Sequence, residues 1–550
     1  MSEDTELIYK KYVKESFDGN GILDGVSFYV PDNFNFAFDI LDGLARKCPD
    51  KVALVWVGKN KERRDFTYRQ LSELSLKAAN YLASLGITKG DKVKLVLKRH
   101  YQFWIIINAL HRIGAVGIPA THLLTRKDFE YRFNTAGVKA IISTCEDGVI
   151  GAADEAIAGG CKDVTIKVSV NGTADGWHNF DGEFEAHSKD FARPANLKKT
   201  DYMLMYFTSG TTGYPKIAVH DFAYALGHVV TARHWHNVDP DGLHYAISDT
   251  GWAKSVWGKL YGQWLCETAV LSYDFDKFEA DDILKMFADY NITTFCAPPT
   301  MYRFFIKEDL KSYNLSSLKY ACIAGEALNP EVFEQFKAAT GISLMEGYGQ
   351  TETTLMLGNY VGMTPKPGSM GRLSPMYDMH LMGSDGQLVK AGETGEIVLK
   401  PNGVPGMFKG YYDGKEVKFP APDGYYHTGD MAWCDADGYY WFVGRTDDLI
   451  KTAGYRVGPF EIESVIMELP YVLECAVTGV PDATRGQVIK ATIVLAAGKR
   501  AYEGLKKKIQ EYVKKHTAPY KYPRIVEFVA SLPKTISGKI RRLEIRGSKA

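Results

Sequence analysis

Apolar and polar positions change period several times along this chain, and the changes outline its architecture. Short apolar runs such as "KVALVWV" (51–57) and "DKVKLVL" (91–97) predict buried strands, each followed by a segment of helical period. "YRQLSELSLKAANYLASLG" (68–86) reads as a helix closed by Gly86, and "YQFWIIINALHRIG" (101–114) as the next; "GVKAIIST" (137–144) continues the series. A second series follows a Ser/Thr/Gly-rich stretch near residue 210. In it "EADDILKMFADYN" (279–291) is helical, "ITTFCAP" (292–298) and "LKYACIAG" (318–325) are strands, and "PEVFEQFKAATG" (330–341) is a helix with proline at its start. This alternation predicts an α/β fold with largely parallel sheets covered by helices on both faces.

From about 368 to 445 the texture changes. Gly-rich turns alternate with short period-two runs, and Asp-Gly pairs at 385–386, 423–424 and 437–438 are hairpin signals. This segment reads as a small β subdomain. Beyond "VGRTDDLIK" the segments "PFEIESVIMEL", "ECAVTGVP", "QVIKATIVLA" and "LKKKIQEYVKKH" predict an independent α+β module. The expected division is a large N-terminal domain over 1–445 and a small C-terminal domain over 446–550, joined near Thr446–Asp448.

Composition narrows the partners. Lys+Arg and Asp+Glu both number 66, so no overall charge favours nucleic acid or an anionic membrane, although a few local cations can still hold a small anion. Eight scattered cysteines form no CxxC pair and no zinc spacing, which fits a reducing compartment. The polar start "MSEDTELIYK" is unlike a signal peptide, and "FWIIINAL" (103–110) is far shorter than the ~20 residues that span a bilayer. A soluble cytoplasmic protein is expected.

The chemistry concentrates in a few stretches. In "TSGTTGYPK" (208–216), Gly210 and Gly213 let the backbone approach an anion, Thr208, Ser209, Thr211 and Thr212 supply hydroxyls, and Lys216 supplies charge. The preceding "YMLMYF" reads as a strand, so the loop leaves a sheet edge, where α/β proteins place ligands. The Walker A pattern fails, because Lys216 stands three residues after Gly213 and Ile217 follows it. On composition alone a Thr/Gly/Ser surface turn fits equally well. By the same standard "EGYGQTETT" (346–354) is a solvated turn, Asp430 a structural turn residue, and "LPKTISGKIRR" (532–542) a solvated basic tail.

Taken together, these stretches resemble the adenylate-forming superfamily of acyl-CoA synthetases, firefly-type luciferases and peptide-synthetase adenylation domains. "FTSGTTGYPK" matches that family's signature loop throughout, and "AGEAL", "EGYGQTET", "YYHTGD…VGRTDDLIKTAGYRVGPFEIE" and "LPKTISGKIRR" follow in the family's order over about 45–545. The resemblance implies that the 208–216 loop holds the β- and γ-phosphates of ATP. It places Gly325, Glu326, Ala327 and Tyr348 around adenine, Thr351 on the α-phosphate and Glu352 on Mg²⁺, with Glu346, Gly347, Gly349 and Gln350 in the same ATP-binding segment. A carboxylate beside phosphate oxygens suits a hard cation. Asp430 and Arg445 would take the ribose hydroxyls, since a carboxylate accepts two hydroxyl protons at once. Asp447 falls at the family's hinge, Gly454, Tyr455 and Arg456 at its CoA passage, and Lys539 at the catalytic lysine that bridges carboxylate and α-phosphate.

The implied reaction has two steps. A carboxylic acid attacks ATP to give an acyl-adenylate and pyrophosphate, and the thiol of CoA then displaces AMP. ATP, Mg²⁺ and CoA are the implied co-substrates and cofactor. No carrier-protein segment follows residue 550, so an AMP-forming acid–CoA ligase is expected, ahead of a stand-alone adenylation enzyme that loads a carrier protein and of a nucleotide-binding regulator. "SDTGWAKSVWGKLYGQW" (248–264) and "CAPPTMYRFF" (296–305) are most similar to the medium-chain acyl-CoA synthetases. Acetate-specific relatives carry Trp where this chain has Gly349, so an open pocket for medium-chain, branched-chain or aromatic acids is implied. Trp252, Lys254 and Trp257 either line that pocket or pack the core. The particular acid, the pathway and a homodimeric state stay open.

Overall fold

The computed structural model describes residues 6–208, 214–452, 455–482, 484–534 and 540–547, with the side chain of Arg456 excluded. Among these residues the chain builds two nine-stranded sheets, a four-stranded sheet, a five-stranded C-terminal sheet and an N-terminal hairpin. In the first large sheet the strands Lys92–Val96, Val116–Pro119, Ala140–Thr144 and Ile166–Val170 run parallel. In the second, Val52–Val57, Ala269–Tyr273, Leu243–Ala246, Thr294–Ala297, Tyr320–Ala324 and Leu344–Gly349 do the same. Their near-continuous apolar runs reflect burial on both faces.

The helix Gln102–Ile113 explains how the two sheets share one core. All of its residues are buried, and it packs among Val93, Leu95 and Leu204 of one sheet and Ala53, Leu54 and Val270 of the other. Its buried polar side chains find partners, Arg112 on Asp42 and His111 on Tyr261, and each buried Ile or Leu side chain there contributes ~1.5–3 kcal/mol. Its end is set by Gly114, at φ 82°, a left-handed conformation that lacks a Cβ penalty only in glycine. The helix Tyr68–Ser84 starts at a reciprocal cap between Thr67 and Gln70. The helix Pro330–Thr340 starts with the expected proline, after Asn329 accepts the Glu331 N–H at 2.8 Å.

Two features depart from the sequence reading. The strand Tyr202–Thr208 lies inside its sheet and pairs antiparallel with Lys216–Asp221, Thr208 opposite Lys216. The 208–216 motif therefore connects two neighbouring strands of a hairpin within the sheet and does not leave from its edge. The expected β subdomain is also not self-contained. Its four-stranded core is Asp378–Met382, Thr394–Lys400, Tyr426–Cys434 and Tyr440–Arg445. However, Gly410–Tyr412 and Val417–Lys418 complete the edge of the first large sheet, and Arg372–Leu373 the edge of the second. Gly410, at φ 132°, is required there, because a Cβ would lie 2.4 Å from the Lys418 carbonyl oxygen.

The C-terminal module pairs Val472–Asp482 with Gly486–Leu495 and covers them with the helices Pro459–Met467 and Glu503–His516. Among the described residues no helix is long and apolar enough to cross a membrane.

Candidate active site

The second large sheet ends its parallel series at Leu344–Gly349, and the chain then turns through Gln350–Thr354. Beside that turn runs the hairpin Tyr426–Cys434/Tyr440–Arg445, in which Asp430 and Arg445 are cross-strand partners. Arg445 Nη1 donates to Asp430 Oδ1 at 3.2 Å and to the Thr428 carbonyl at 3.0 Å. Gly429 makes this approach possible: it adopts φ 74°, and a Cβ there would lie 2.6 Å from the Arg445 guanidinium.

The other carboxylate oxygen of Asp430 accepts the Tyr348 hydroxyl at 2.6 Å and Gln350 Nε2 at 2.7 Å. Gln350 is oriented in turn by the Thr428 carbonyl at 3.0 Å and the Tyr426 hydroxyl at 2.9 Å. Burial, reinforced by the Asp430 carboxylate, pushes the Tyr348 hydroxyl pKa well up, so it stays a donor. A 7%-exposed carboxylate with its donors fixed on three sides is held in one orientation.

A second acidic point lies on the same turn. Glu352 Oε1 accepts the Tyr411 hydroxyl at 2.8 Å, and the Lys216 ammonium stands 4.9 Å from the centre of the same Tyr411 ring. Tyr411 reaches this position because Gly410–Tyr412 pairs with Lys216–Asp221, Ala218 opposite Tyr411. The main chain of the turn is pinned from below: Phe408 N–H donates to the Glu352 carbonyl at 2.8 Å, and His220 Nε2 to the Thr351 carbonyl at 2.8 Å. Burial holds the His220 pKa down at about 4, which keeps the ring neutral at pH 7.

Other expected residues fall into place unevenly. Gly325 is at φ 105° beside Lys254, whose amine donates to the Ala324 carbonyl at 2.7 Å. Glu326 accepts from Thr300 Oγ at 3.1 Å and Arg303 at 3.3 Å, and Ala327 is half-buried next to it. Glu346 is buried beneath that turn, accepts the Leu328 N–H at 3.3 Å, and has its pKa raised well above the ordinary carboxyl range by burial. A Cβ on Gly347 would meet the Trp235 ring at 2.5 Å. Both residues therefore support the turn from the core side.

Gly349 does not open onto empty space. A Cβ there would lie 2.5 Å from Trp257 Cη2, so the glycine makes room for the Trp257 ring. Trp257 is buried and donates from Nε1 to the Tyr224 hydroxyl at 3.2 Å, whereas Trp252 is half-buried. Near the module junction Asp447 Oδ1 is 3.6 Å from Arg445 Nε, and its carbonyl accepts Arg546 Nη1 at 3.0 Å. Tyr455 is half-exposed and stacks on Tyr520 at 4.0 Å. Ser209, Gly210, Thr211, Thr212, Gly213, Gly454 and Lys539 lie outside the described residues, as does the Arg456 side chain.

Three partners of the site were invisible to sequence reasoning. Tyr411, Tyr426 and His220 lie on strands whose pattern identifies them only as half-buried positions. Among the described residues no three His, Cys, Asp or Glu side chains gather as a metal centre. Mg²⁺ takes one or two carboxylates and fills its shell with phosphate oxygens and water. Glu352 offers such a carboxylate.

The chain is similar to known proteins over most of its length. Residues 41–412 match the family model described as AMP-binding enzyme, and 461–539 that described as AMP-binding enzyme C-terminal domain. The human acyl-coenzyme A synthetase ACSM3, mitochondrial, is 41% identical over 94% of this chain and 90% of its own length. Human acyl-coenzyme A synthetase ACSM5, mitochondrial, is 39% identical over 94% and 91%. Among solved structures, the anthranilate CoA ligase AuaEII in complex with anthranoyl-AMP superposes with a TM-score of 0.86 at 28% identity, over 94% of this chain and 97% of that one. A benzoate CoA ligase from Burkholderia xenovorans LB400 gives 0.81 at 25%, over 93% and 100%. With family models matched over 41–412 and 461–539 and curated relatives 39–41% identical over 94% of its length, the chain belongs to the AMP-binding enzyme family.

Proposed function

We propose that this acyl-CoA synthetase activates a medium-chain, branched-chain or aromatic carboxylic acid in two half-reactions at the turn Gln350–Thr354. In the first, an oxygen of the acid forms a bond to the α-phosphorus of ATP and pyrophosphate leaves, giving an acyl-adenylate. In the second, the CoA thiolate attacks the acyl carbonyl and AMP leaves. The convergence of Tyr348, Gln350 and Arg445 on Asp430 carries this reading, because it fixes a carboxylate for two vicinal hydroxyls one turn away from Glu352 and Thr351.

Asp430 accepts the ribose hydroxyls, Thr351 donates to the α-phosphate, and Lys216 with the 208–216 loop holds the phosphates that leave. Glu352, kept in orientation by Tyr411, is the residue that would hold Mg²⁺, whose charge offsets that of the phosphates. Lys539 brings a cation to the carboxylate and α-phosphate together, where negative charge develops in the transition state. Trp252, Lys254 and Trp257 shape the acyl end, and Gly454, Tyr455 and Arg456 the CoA passage. The relatives named above are acyl-CoA and aryl-CoA ligases, which supports free CoA as the acceptor.

The test is a pyrophosphate-release screen over acetate to dodecanoate, branched acids and benzoates, with and without CoA. Acid-dependent release with acyl-CoA as product is expected. Lys539→Ala should lower adenylation by about 10²-fold or more while sparing thioester formation from a supplied acyl-adenylate. Equal loss of both half-reactions would exclude Lys539 as the adenylation lysine.

A further inference from the structure

The hairpin that carries the phosphate loop is held by a helix outside the nucleotide site. The helix Arg126–Ala136 is fixed at its start by a reciprocal cap between Thr125 and Asp128. Tyr131, just over one turn on, donates from its hydroxyl to the Pro215 carbonyl at 2.9 Å. Its ring stacks on Tyr214 with centroids 4.7 Å apart and meets Phe207 edge-on at 6.1 Å. The neighbouring Arg132 places its guanidinium 5.2 Å over the same Phe207 ring and is itself tied to Asp128 Oδ1 at 3.0 Å. Phe207 leads into the loop, and Tyr214 and Pro215 lead out of it to Lys216. One helix thus grips both stems. Burial does not account for the contact, since Tyr214 is 77% exposed.

We propose that Tyr131 is a positioning residue for the pyrophosphate end of ATP. It acts through Pro215 and Tyr214 to hold Lys216 and the returning stem where the departing phosphates need them. The inference rests on the function proposed above, and it concerns a residue that touches no substrate. Removing the grip leaves the stem free to move, so ATP and pyrophosphate bind more weakly while the acyl and CoA ends are untouched.

The full-length protein carrying Tyr131→Phe, Tyr131→Ala or Tyr214→Ala tests this. The Phe variant keeps the stack and loses the bond to Pro215, whereas Tyr214→Ala removes the stack from the solvent side without opening the core. Measured are KM for ATP, the inhibition constant of pyrophosphate, KM for acid and CoA, and thioester formation from a supplied acyl-adenylate. Both Ala variants should raise the ATP and pyrophosphate constants about tenfold and Tyr131→Phe about threefold, with the acid, CoA and thioesterification values within about twofold of wild type. If Tyr131→Ala does not fold, the other two variants decide. Unmoved ATP and pyrophosphate constants in an active protein overturn the inference, as does a parallel decline of every constant and both half-reactions. A wild type that releases no pyrophosphate with any acid instead overturns the proposed function, and the inference with it.

Discussion

At Gly349 a Cβ would lie 2.4 Å from the Thr354 carbonyl oxygen and 2.5 Å from the Trp257 ring. The carbonyl cannot move without disturbing the turn that carries Thr351 and Glu352, so Gly349→Ala is an overpacking change worth ~1–3 kcal/mol. Its melting temperature should fall, and both half-reactions should weaken. Trp257→Ala, which keeps the glycine, should instead move the optimum toward longer acids, because an apolar pocket discriminates by ~1–3 kcal/mol per methylene. Comparing kcat/KM along a series of straight-chain acids reads this directly; an unchanged profile would place Trp257 outside the acyl pocket. The glycine itself was legible in the sequence. That Trp257 occupies the space beside it was not, since the two are 92 residues apart along the chain.

The N-terminal hairpin Val13–Phe17/Leu23–Phe28 left almost no trace in the hydrophobic pattern, because most of its first strand faces water. Val13 and Leu23 bury its apolar side in the core, and Glu15 anchors it by hydrogen bonds. Glu15 accepts from His234 Nε2 at 2.5 Å, from Tyr9 at 3.1 Å and from Lys10. Burial alone would raise the Glu15 pKa, but the bonds from His234 and Lys10 outweigh it and hold it at about 2, below the ordinary value of 4.5. A depressed carboxyl pKa contributes stability that is present above 4.5 and lost as pH falls toward 2. Amide exchange across Val13–Phe17 should therefore lose protection over that window. Glu15→Gln should lower protection at pH 6 by about 2 kcal/mol and flatten the pH dependence. A Gln variant with the wild-type pH profile would exclude Glu15 as the anchor.

At the scale of the whole molecule the two modules meet around Asp447 and Asp448. Arg546 holds the Asp447 carbonyl at 3.0 Å and Asp448 Oδ1 at 2.6 Å, while Arg542 bonds both oxygens of Glu463 at 2.8 Å. The terminal helix Arg542–Gly547 thereby ties the module's end to the junction, and Arg445 ties the junction to Asp430. If the two half-reactions need two orientations of the C-terminal module about Asp447, fixing its φ near −65° with Asp447→Pro should preserve one and lower the other by about 10²-fold. Half-reactions assayed separately check this, and equal loss in both would mean that Asp447 is not the pivot.

The sequence by itself determined most of the strands and helices, where the texture changes, and which stretches match the family's motifs. Those features are written locally, in periodicity, turn residues and motif order. Only the tertiary structure decided that the phosphate loop joins two strands of one hairpin, that Gly410–Tyr412 leaves the small β sheet to bring Tyr411 against Glu352, and that Tyr131 grips the loop's stem. A strand's pattern records that one face is buried but not against what, because the hydrophobic effect is non-directional. Partner choice is set by register and by close backbone approach at particular glycines, neither of which any local window contains.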